Sequence, residues 1–192
     1  LYFGDSLGRE IGRVAALYVS RLKGIDTESA RMLIRSTRKR LTAEQGLEAS
    51  LSVACQAVGG DLQDLHNCFA EEIDPEPYLV KDERVISMLE ALAARFPLYI
   101  YTNNNISLSS RILDALGVSH LFLKVFTIEN FWRPKPDLES LNSIMGSIGV
   151  EPSECLFVGD RYDIDLRLPE KMGAKAHLVS SVEDFLALDK YL

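Results

Sequence analysis

The sequence predicts an α/β protein in which an all-helical segment comes first and a parallel β-sheet with crossover helices follows. Up to about residue 73, apolar residues recur at helical spacing between capping residues and glycines. After Asp82, helical stretches alternate with short apolar runs, which is the pattern of βα units. The stretch 74–80 (DPEPYLV) between them contains two prolines and cannot continue a helix, so it marks the predicted boundary.

Four helices are expected before this boundary, at 6–24 with Ser6 as N-cap, at 26–41, at 42–58 and at 61–73. After it, helices are expected at 82–95, 106–116, 137–148, 164–172 and 182–190. Strands are expected at 97–101, 123–128, 155–158 and 175–179. Ligands of open parallel sheets bind beyond the carboxyl ends of the strands, so the residues that follow each strand are the candidates for a functional site.

The composition of the 192 residues is that of an ordinary globular protein, with 47% hydrophobic and 26% charged residues. A formal net charge of −7 argues against a general surface for nucleic acid or anionic membrane. No apolar run reaches the length of a membrane span and no signal-peptide pattern opens the chain, so we expect a cytoplasmic protein without nucleic-acid or membrane partners. Cys55, Cys68 and Cys155 are widely spaced in apolar contexts and are predicted to be reduced.

The stretch 155–165 (CLFVGDRYDID) reads as a buried strand that ends in an acidic loop. Gly159 permits a sharp turn, after which Asp160, Asp163 and Asp165 are expected to cluster at one rim of the sheet. Like charges about 4 Å apart repel by roughly 4 kcal/mol at an effective dielectric near 20, so such a rim needs a proton or a cation. Among cations, Mg²⁺ fits these oxygen ligands best. The stretch alone is equally consistent with a structural role, in which the aspartates lie in the first turn of a helix and stabilise it.

Two further strand ends carry residues suited to an anion. Thr102 and Asn103 follow the strand at 97–101, and their small side chains can donate hydrogen bonds near the start of the next helix. Lys135 lies between two prolines after the strand at 123–128, which fixes the backbone around this cation. With the acidic loop, this ordered set predicts a phosphate site in which positive charge faces phosphoryl oxygens.

These residues resemble the motifs of the haloacid dehalogenase-like (HAD) hydrolase superfamily. YIYTNN is similar to the second motif, with Thr102 as the phosphate-binding hydroxyl, and RPKPD to the third, with Lys135 as the phosphate and carboxylate partner. VGDRYDID is similar to the fourth motif, with Asp160 and Asp165 as the acidic pair and Asp163 as a possible substitute for the second. The resemblance implies a Rossmann-like core at 79–192, whose first strand is apparently absent from the given residues, with an inserted all-helical cap at 1–78. In the family that strand lies between the strands at 97–101 and 155–158, so these two are not expected to be neighbours.

The activity implied is Mg²⁺-dependent hydrolysis of a small phosphorylated metabolite through an aspartyl-phosphate, with Lys135 and Asp160 as catalytic residues. The cap and the RPKPD loop are most similar to the pyrimidine 5′-nucleotidase group, which implies a nucleotide 5′-monophosphatase. The family's first motif, D-x-D-x-T, supplies the nucleophile, the general acid and further metal ligands, and we expect it immediately before Leu1. The given residues do not contain it, since GDSLG around Asp5 is no substitute.

Two other functions compete with this one. A protein that dispenses with the nucleophile would be a non-catalytic binder of a phosphorylated ligand or of a partner. A haloacid dehalogenase is a third possibility, disfavoured because metal-independent dehalogenases do not need an acidic pair such as Asp160 and Asp165.

Two features suggest structural roles. Basic residues at helical spacing are expected to form a solvated helix face rather than a nucleic-acid surface; they are Arg31, Arg35, Arg38, Lys39 and Arg40. Trp132 and Phe131, close to Lys135, are expected to pack the loop against the core rather than to stack on a base.

Overall fold

The structure is a computed structural model that describes residues 5–188. Its first part is helical and we call it the cap: α1 Asp5–Lys23, α2 Thr27–Gln45, α3 Leu51–Ala57 and α4 Leu62–Glu72. Its second part, the core, contains α5 Glu83–Ala93, β1 Tyr99–Tyr101, α6 Ile106–Leu116, β2 Lys124–Phe126, α7 Leu138–Ile148, β3 Leu156–Gly159, α8 Arg167–Lys171, β4 Lys175–Leu178 and α9 Val182–Leu186. A short 3₁₀ helix, Glu76–Tyr78, lies in the predicted connector. The α/β fold class is confirmed.

The boundary between α2 and α3 differs from the expectation. The α2 helix continues to Gln45 and ends at Gly46, which adopts the left-handed conformation that glycine tolerates best. The α3 helix starts only at Leu51, where the Ser50 side chain accepts the backbone N–H of Val53. The prediction of a helix over 42–58 was therefore wrong at its start, and a loop at 46–49 takes its place. Ser6 was also assigned wrongly, because it lies inside α1.

The strands form two parallel pairs. β1 pairs with β2, with Tyr99 opposite Lys124, and β3 pairs with β4, with Leu156 opposite Lys175. Within residues 5–188, neither β1 nor β2 is hydrogen-bonded as a strand to β3 or β4. The strands at 97–101 and 155–158 were expected not to be neighbours, and the described residues accordingly form two two-stranded sheets instead of one sheet.

Helices cover both faces of these strands. Ile100, Val125 and Leu156 point towards a large apolar cluster that contains residues of the cap and of α5, α6 and α9. Tyr99, Phe126 and Phe157 point the other way and pack with α7. Successive strand residues alternate between faces, so one set of residues from β1, β2 and β3 shares an apolar cluster with α7 that spans the two strand pairs.

The β3 strand is less buried than its apolar sequence suggested. Its residues are half-buried or exposed, and Val158 keeps 38% of its surface accessible. The prediction that this strand is fully buried was wrong. Within residues 5–188, β3 has a strand neighbour on one side only, which leaves part of it accessible to solvent. Among the same residues, no helix is both long and apolar enough to span a membrane.

Candidate phosphate site

Lys135 is the centre of the candidate site. It lies in the loop before α7 and is only 9% exposed. Its Nζ donates to the carbonyl oxygen of Tyr101 at 2.9 Å and to Oδ1 of Asp165 at 2.5 Å. Its backbone N–H donates to Oδ1 of Asn103 at 2.7 Å. One residue therefore joins the carboxyl end of β1 to the turn that follows β3.

Asp165 lies on this turn, a π-helical segment over Tyr162–Leu166, and its side chain is 11% exposed. Burial alone would raise the pKa of this carboxyl group, but the charge and hydrogen bond of Lys135, together with Arg161, lower it below its usual value. The Arg161 backbone N–H approaches Oδ2 at 3.3 Å. Asp165 is therefore an ionised carboxylate with both oxygens engaged.

Gly159 makes the close packing of this turn possible. A Cβ atom at this position would lie 2.6 Å from Cβ of Asp165, closer than van der Waals contact allows. The glycine at the end of β3 is thus needed for the approach of Asp165 to the strand. The sequence predicted a sharp turn here, and this steric reason was not visible in it.

Thr102 and Asn103 lie at the carboxyl end of β1, where the sequence predicted them. Thr102 Oγ1 accepts the backbone N–H of Asn104 at 3.1 Å, which leaves its own proton available. Asn103 Nδ2 is buried and has no hydrogen-bond partner among the described residues. Because Oδ1 of Asn103 accepts from Lys135, the amide orientation is fixed and Nδ2 is a buried donor without an acceptor.

The acidic residues do not form the cluster expected from the sequence. Asp160 is exposed and makes no hydrogen bond or ion pair within residues 5–188. Asp163 accepts the backbone N–H of Glu48 at 3.2 Å and contacts Arg167 Nη1 at 3.1 Å. The expectation that three carboxylates meet at one rim was wrong, because Asp163 and Asp165 each have cationic and N–H partners of their own.

The carboxylates present do not by themselves fit Mg²⁺. Among the described residues, no three His, Cys, Asp or Glu side chains are grouped so as to hold a metal ion. Mg²⁺ prefers near-octahedral oxygen coordination at about 2.0–2.1 Å, and Asp165 has both oxygens engaged. Asp160 is then the one member of the predicted pair that is available as it stands.

Contacts between the cap and the core were missed by sequence reasoning. The Asn105 side chain accepts the Leu108 N–H as the N-cap of α6 and donates to the carbonyl oxygen of His66 at 2.6 Å. His66 also lies edge-to-face with Trp132, at 6.4 Å between ring centroids. Phe131 packs with the core cluster around α7, as predicted, whereas Trp132 contacts the cap instead of the core. The contact between Asn105 and a carbonyl oxygen 39 residues away in the sequence has no local signal.

His66 gives the fold a pH dependence. Burial lowers its pKa to about 4, against an ordinary value near 6.5. As pH falls, the His66 side chain is therefore protonated in the unfolded chain at a higher pH than in the folded protein. Protonation favours the unfolded chain, so the free energy of unfolding should fall by up to about 3 kcal/mol as pH drops from about 6.5 towards 4. Urea unfolding should show that His66→Gln removes most of this slope. The exposed His120, changed to Gln, is the control, and equal slopes in the two variants would contradict the prediction.

Known proteins resemble this chain in sequence and in fold. Residues 7–173 match the haloacid dehalogenase-like hydrolase family. The sequence is 33% identical over 91 residues to phosphoglycolate phosphatase of Aquifex aeolicus. This match covers 47% of this chain and 42% of that protein. It is 28% identical over 108 residues to glyceraldehyde 3-phosphate phosphatase of Methanocaldococcus jannaschii, covering 56% and 45%. Each match spans less than half of the relative's length.

Solved structures show the same fold. A HAD-superfamily hydrolase of subfamily IA, variant 1, from Geobacter sulfurreducens superposes with a TM-score of 0.56 at 19% identity, covering 95% of this chain and 93% of that one. A HAD phosphatase from Thermococcus onnurineus gives 0.53 at 20% identity, covering 90% and 78%. These superpositions show an α/β fold with a Rossmann-like core and a helical cap. The chain belongs to the haloacid dehalogenase-like hydrolase family, which is a family of enzymes.

Proposed function

We propose that the protein is a phosphohydrolase that releases phosphate from a small phosphorylated metabolite, and that Lys135, Thr102 and Asn103 hold the phosphoryl group. The single observation that carries the proposal is the buried pair of Lys135 and Asp165 beside the unpartnered Nδ2 of Asn103. A buried donor without an acceptor costs about 1–3 kcal/mol, and a phosphoryl oxygen at this point would remove that cost.

The site offers hydrogen-bond donors to an anion. Lys135 and Asp165 form a pair that is neutral overall, so a phosphoryl group would share the Lys135 ammonium with Asp165 and the carbonyl oxygen of Tyr101. The Thr102 hydroxyl and the Asn103 amide add neutral donors at the same strand end. Preorganised donors in a partly buried site stabilise the developing charge of a transferring phosphoryl group without reorganisation.

The relatives support phosphoester substrates of small size. Two of them are named as phosphatases of phosphoglycolate and of glyceraldehyde 3-phosphate. The nucleotide 5′-monophosphate substrate suggested by the resemblance to pyrimidine 5′-nucleotidases is part of the proposal, as are the aspartyl-phosphate intermediate and the cytoplasmic location. The aspartate that would form this intermediate is not Asp165, which is already ion-paired with Lys135.

The test is release of inorganic phosphate from a panel that contains phosphoglycolate, glyceraldehyde 3-phosphate and nucleoside 5′-monophosphates. Hydrolysis of at least one of them with Mg²⁺ present, and its loss in Lys135→Ala, would support the proposal. Reading the coding sequence ahead of Leu1 gives an independent check, because D-x-D-x-T there supports catalysis. Saturable phosphate binding without turnover, and no such motif, would favour the non-catalytic phosphate binder instead.

Mg²⁺ dependence is proposed with a specific restriction. Because Asp160 is the one available carboxylate of the predicted pair, residues 1–192 alone should bind Mg²⁺ only in the millimolar range or more weakly. Titration calorimetry on the 192-residue chain measures this directly. Micromolar Mg²⁺ binding that Asp160→Ala abolishes would show that the carboxylates present are sufficient and would overturn the prediction.

A further inference from the structure

Two of the contacts between the cap and the core differ in character. In the first, α6 holds the end of α4: Arg111 Nη1 donates to the carbonyl oxygen of Ile73 at 2.5 Å and Nη2 to that of Ala70 at 2.8 Å. Asn105, which is 2% exposed, donates to His66 nearby. Helix-end carbonyls that have lost their intrahelical donors are thereby satisfied from the core. This contact is largely shielded from solvent.

The second contact joins the cap loop at 46–49 to the turn after β3. Asp163 Oδ2 accepts the backbone N–H of Glu48 at 3.2 Å. Arg167 Nη1 bridges Asp163 Oδ1 at 3.1 Å and the carbonyl oxygen of Gly46 at 3.5 Å. The side chains of Asp163 and Arg167 are 32% and 36% exposed, so salt and water weaken this contact more than the first.

The loop reaches Asp163 with a shape that the cap itself supplies. Arg38 donates from Nη2 to Oε1 of Glu48 at 2.9 Å and from Nε to the carbonyl oxygen of Ala49 at 3.0 Å. The Ala49 N–H donates to Thr42 Oγ1 at 3.0 Å. The loop is thus tied to α2, and its contact with Asp163 connects the whole α2 side of the cap to the core.

The turn that receives the loop is the same turn that supplies the phosphate site. Asp163 and Asp165 both lie in Tyr162–Leu166, and Asp165 pairs with Lys135. Short π-helical segments are common at functional sites because they place side chains where a regular α-helix would not. A shift of the cap loop therefore acts on Asp163, which is two residues from Asp165 and its ion pair with Lys135.

We propose that Asp163 is a positioning residue: it docks the cap loop at 46–49 onto the turn that carries Asp165, while the Arg111 and Asn105 contacts of α6 hold the opposite side of the cap in place. The solvent-exposed contact between Asp163 and the cap loop sets how close this loop lies to the Lys135 and Asp165 pair. The use of this contact in substrate binding rests on the proposed function. Asp163 is accordingly a ligand of the cap and not of Mg²⁺, because both of its oxygens face N–H donors.

Hydrogen exchange of the 192-residue protein without substrate tests the docking. Asp163→Ala removes the acceptor of the Glu48 N–H, and exchange at that amide is expected to become about tenfold faster. Asp163→Asn keeps an oxygen acceptor but loses the charge, so its exchange rate should lie between those of the unchanged protein and Asp163→Ala. Peptides from the end of α4 should keep their protection in all variants, because the α6 contacts are untouched.

Glu170→Ala is the matched control. It removes a carboxylate of the adjacent helix α8. This carboxylate accepts from the Tyr162 hydroxyl and has no hydrogen bond or ion pair with a cap residue within residues 5–188. Unchanged exchange at Glu48 in Asp163→Ala, or an equal increase in Glu170→Ala, would overturn the proposal. If Asp163→Ala does not fold, Arg167→Met replaces it: a two- to threefold increase at Glu48 supports the docking and no increase overturns it. A loss of Mg²⁺ binding in Asp163→Asn with unchanged exchange would also overturn it.

Kinetics then separate positioning from chemistry. With a substrate that the protein hydrolyses, Asp163→Ala is expected to raise KM about tenfold and to change kcat less than threefold, with partial rescue of KM by Asp163→Asn. A fall in kcat at constant KM would contradict a positioning role. Absence of hydrolysis in the unchanged protein would count against the proposed function alone, because the exchange result does not depend on turnover.

Discussion

Lys135→Ala is expected to lower the rate of phosphate release by about 10²–10³ relative to the unchanged protein, the loss typical of removing one preorganised electrostatic contact to the reacting group. Lys135 is buried, and its Nζ faces the strand end where Thr102 and Asn103 offer their donors. Its backbone N–H also orients the Asn103 amide. The measurement is kcat/KM for the best substrate of the panel, with circular dichroism to confirm that the variant is folded.

Arg133→Ala is the matched control for this prediction. Arg133 lies on the same loop and is also followed by a proline, but it is exposed and ion-paired with Glu139. An exposed pair of this kind contributes about 0–1 kcal/mol, so its loss should change kcat/KM less than threefold. Equal and mild effects of the two substitutions would refute the role assigned to Lys135.

Lys135→Met is expected to lower the free energy of unfolding by about 3–5 kcal/mol, because it leaves the Asp165 carboxylate buried without its cation. Both side chains of the pair are 11% exposed. For a chain of this length the loss corresponds to a fall in Tm of about 6–20 °C. The double variant Lys135→Met, Asp165→Asn removes the charge but keeps an acceptor for Arg161, and it should recover at least half of the loss.

The pH dependence of this effect has a definite sign. In the unchanged protein the pKa of Asp165 is lowered, so its contribution is present above its usual pKa and is lost as pH falls through the folded value. Without Lys135 the buried carboxyl group should have a raised pKa, and protonation at low pH should relieve the penalty. The difference in unfolding free energy between Lys135→Met and the unchanged protein should therefore shrink from pH 7 to pH 5. A loss below about 1 kcal/mol at pH 7 would contradict the account.

The sequence predicted those elements whose signals lie in neighbouring residues of the chain. The helix α6 was predicted at 106–116 and is observed at Ile106–Leu116, where Asn105 is the N-cap and Gly117 ends the helix in the left-handed conformation. Lys135 and Thr102 were proposed as site residues because each follows an apolar strand and matches a motif of the family. Local signals also misled: Thr42 looked like the cap of a new helix, whereas α2 continues to Gln45 and Thr42 instead binds the loop at Ala49.

The remainder depended on tertiary contacts that no local pattern encodes. Asp163 and Asp165 look equivalent in the sequence, yet one binds the cap and the other binds Lys135. Burial separates them, since the side chain of Asp165 is 11% exposed and that of Asp163 32%. The separation of β1 and β3 into different pairs was expected from the resemblance, in which the family's first strand lies between them. It could not be predicted from the apolar runs, because these predict strands without stating which of them are neighbours.

We propose that the strand ends around Lys135 bind a phosphoryl group, and an NMR titration of the protein with inorganic phosphate tests this binding most directly. The side-chain amide of Asn103 should report binding, because its buried Nδ2 has no partner within residues 5–188. We expect a saturable shift of the Asn103 side-chain amide that is lost in Lys135→Ala and retained in Arg133→Ala. No shift at about 50 mM phosphate, or a shift that survives Lys135→Ala, would contradict the claim.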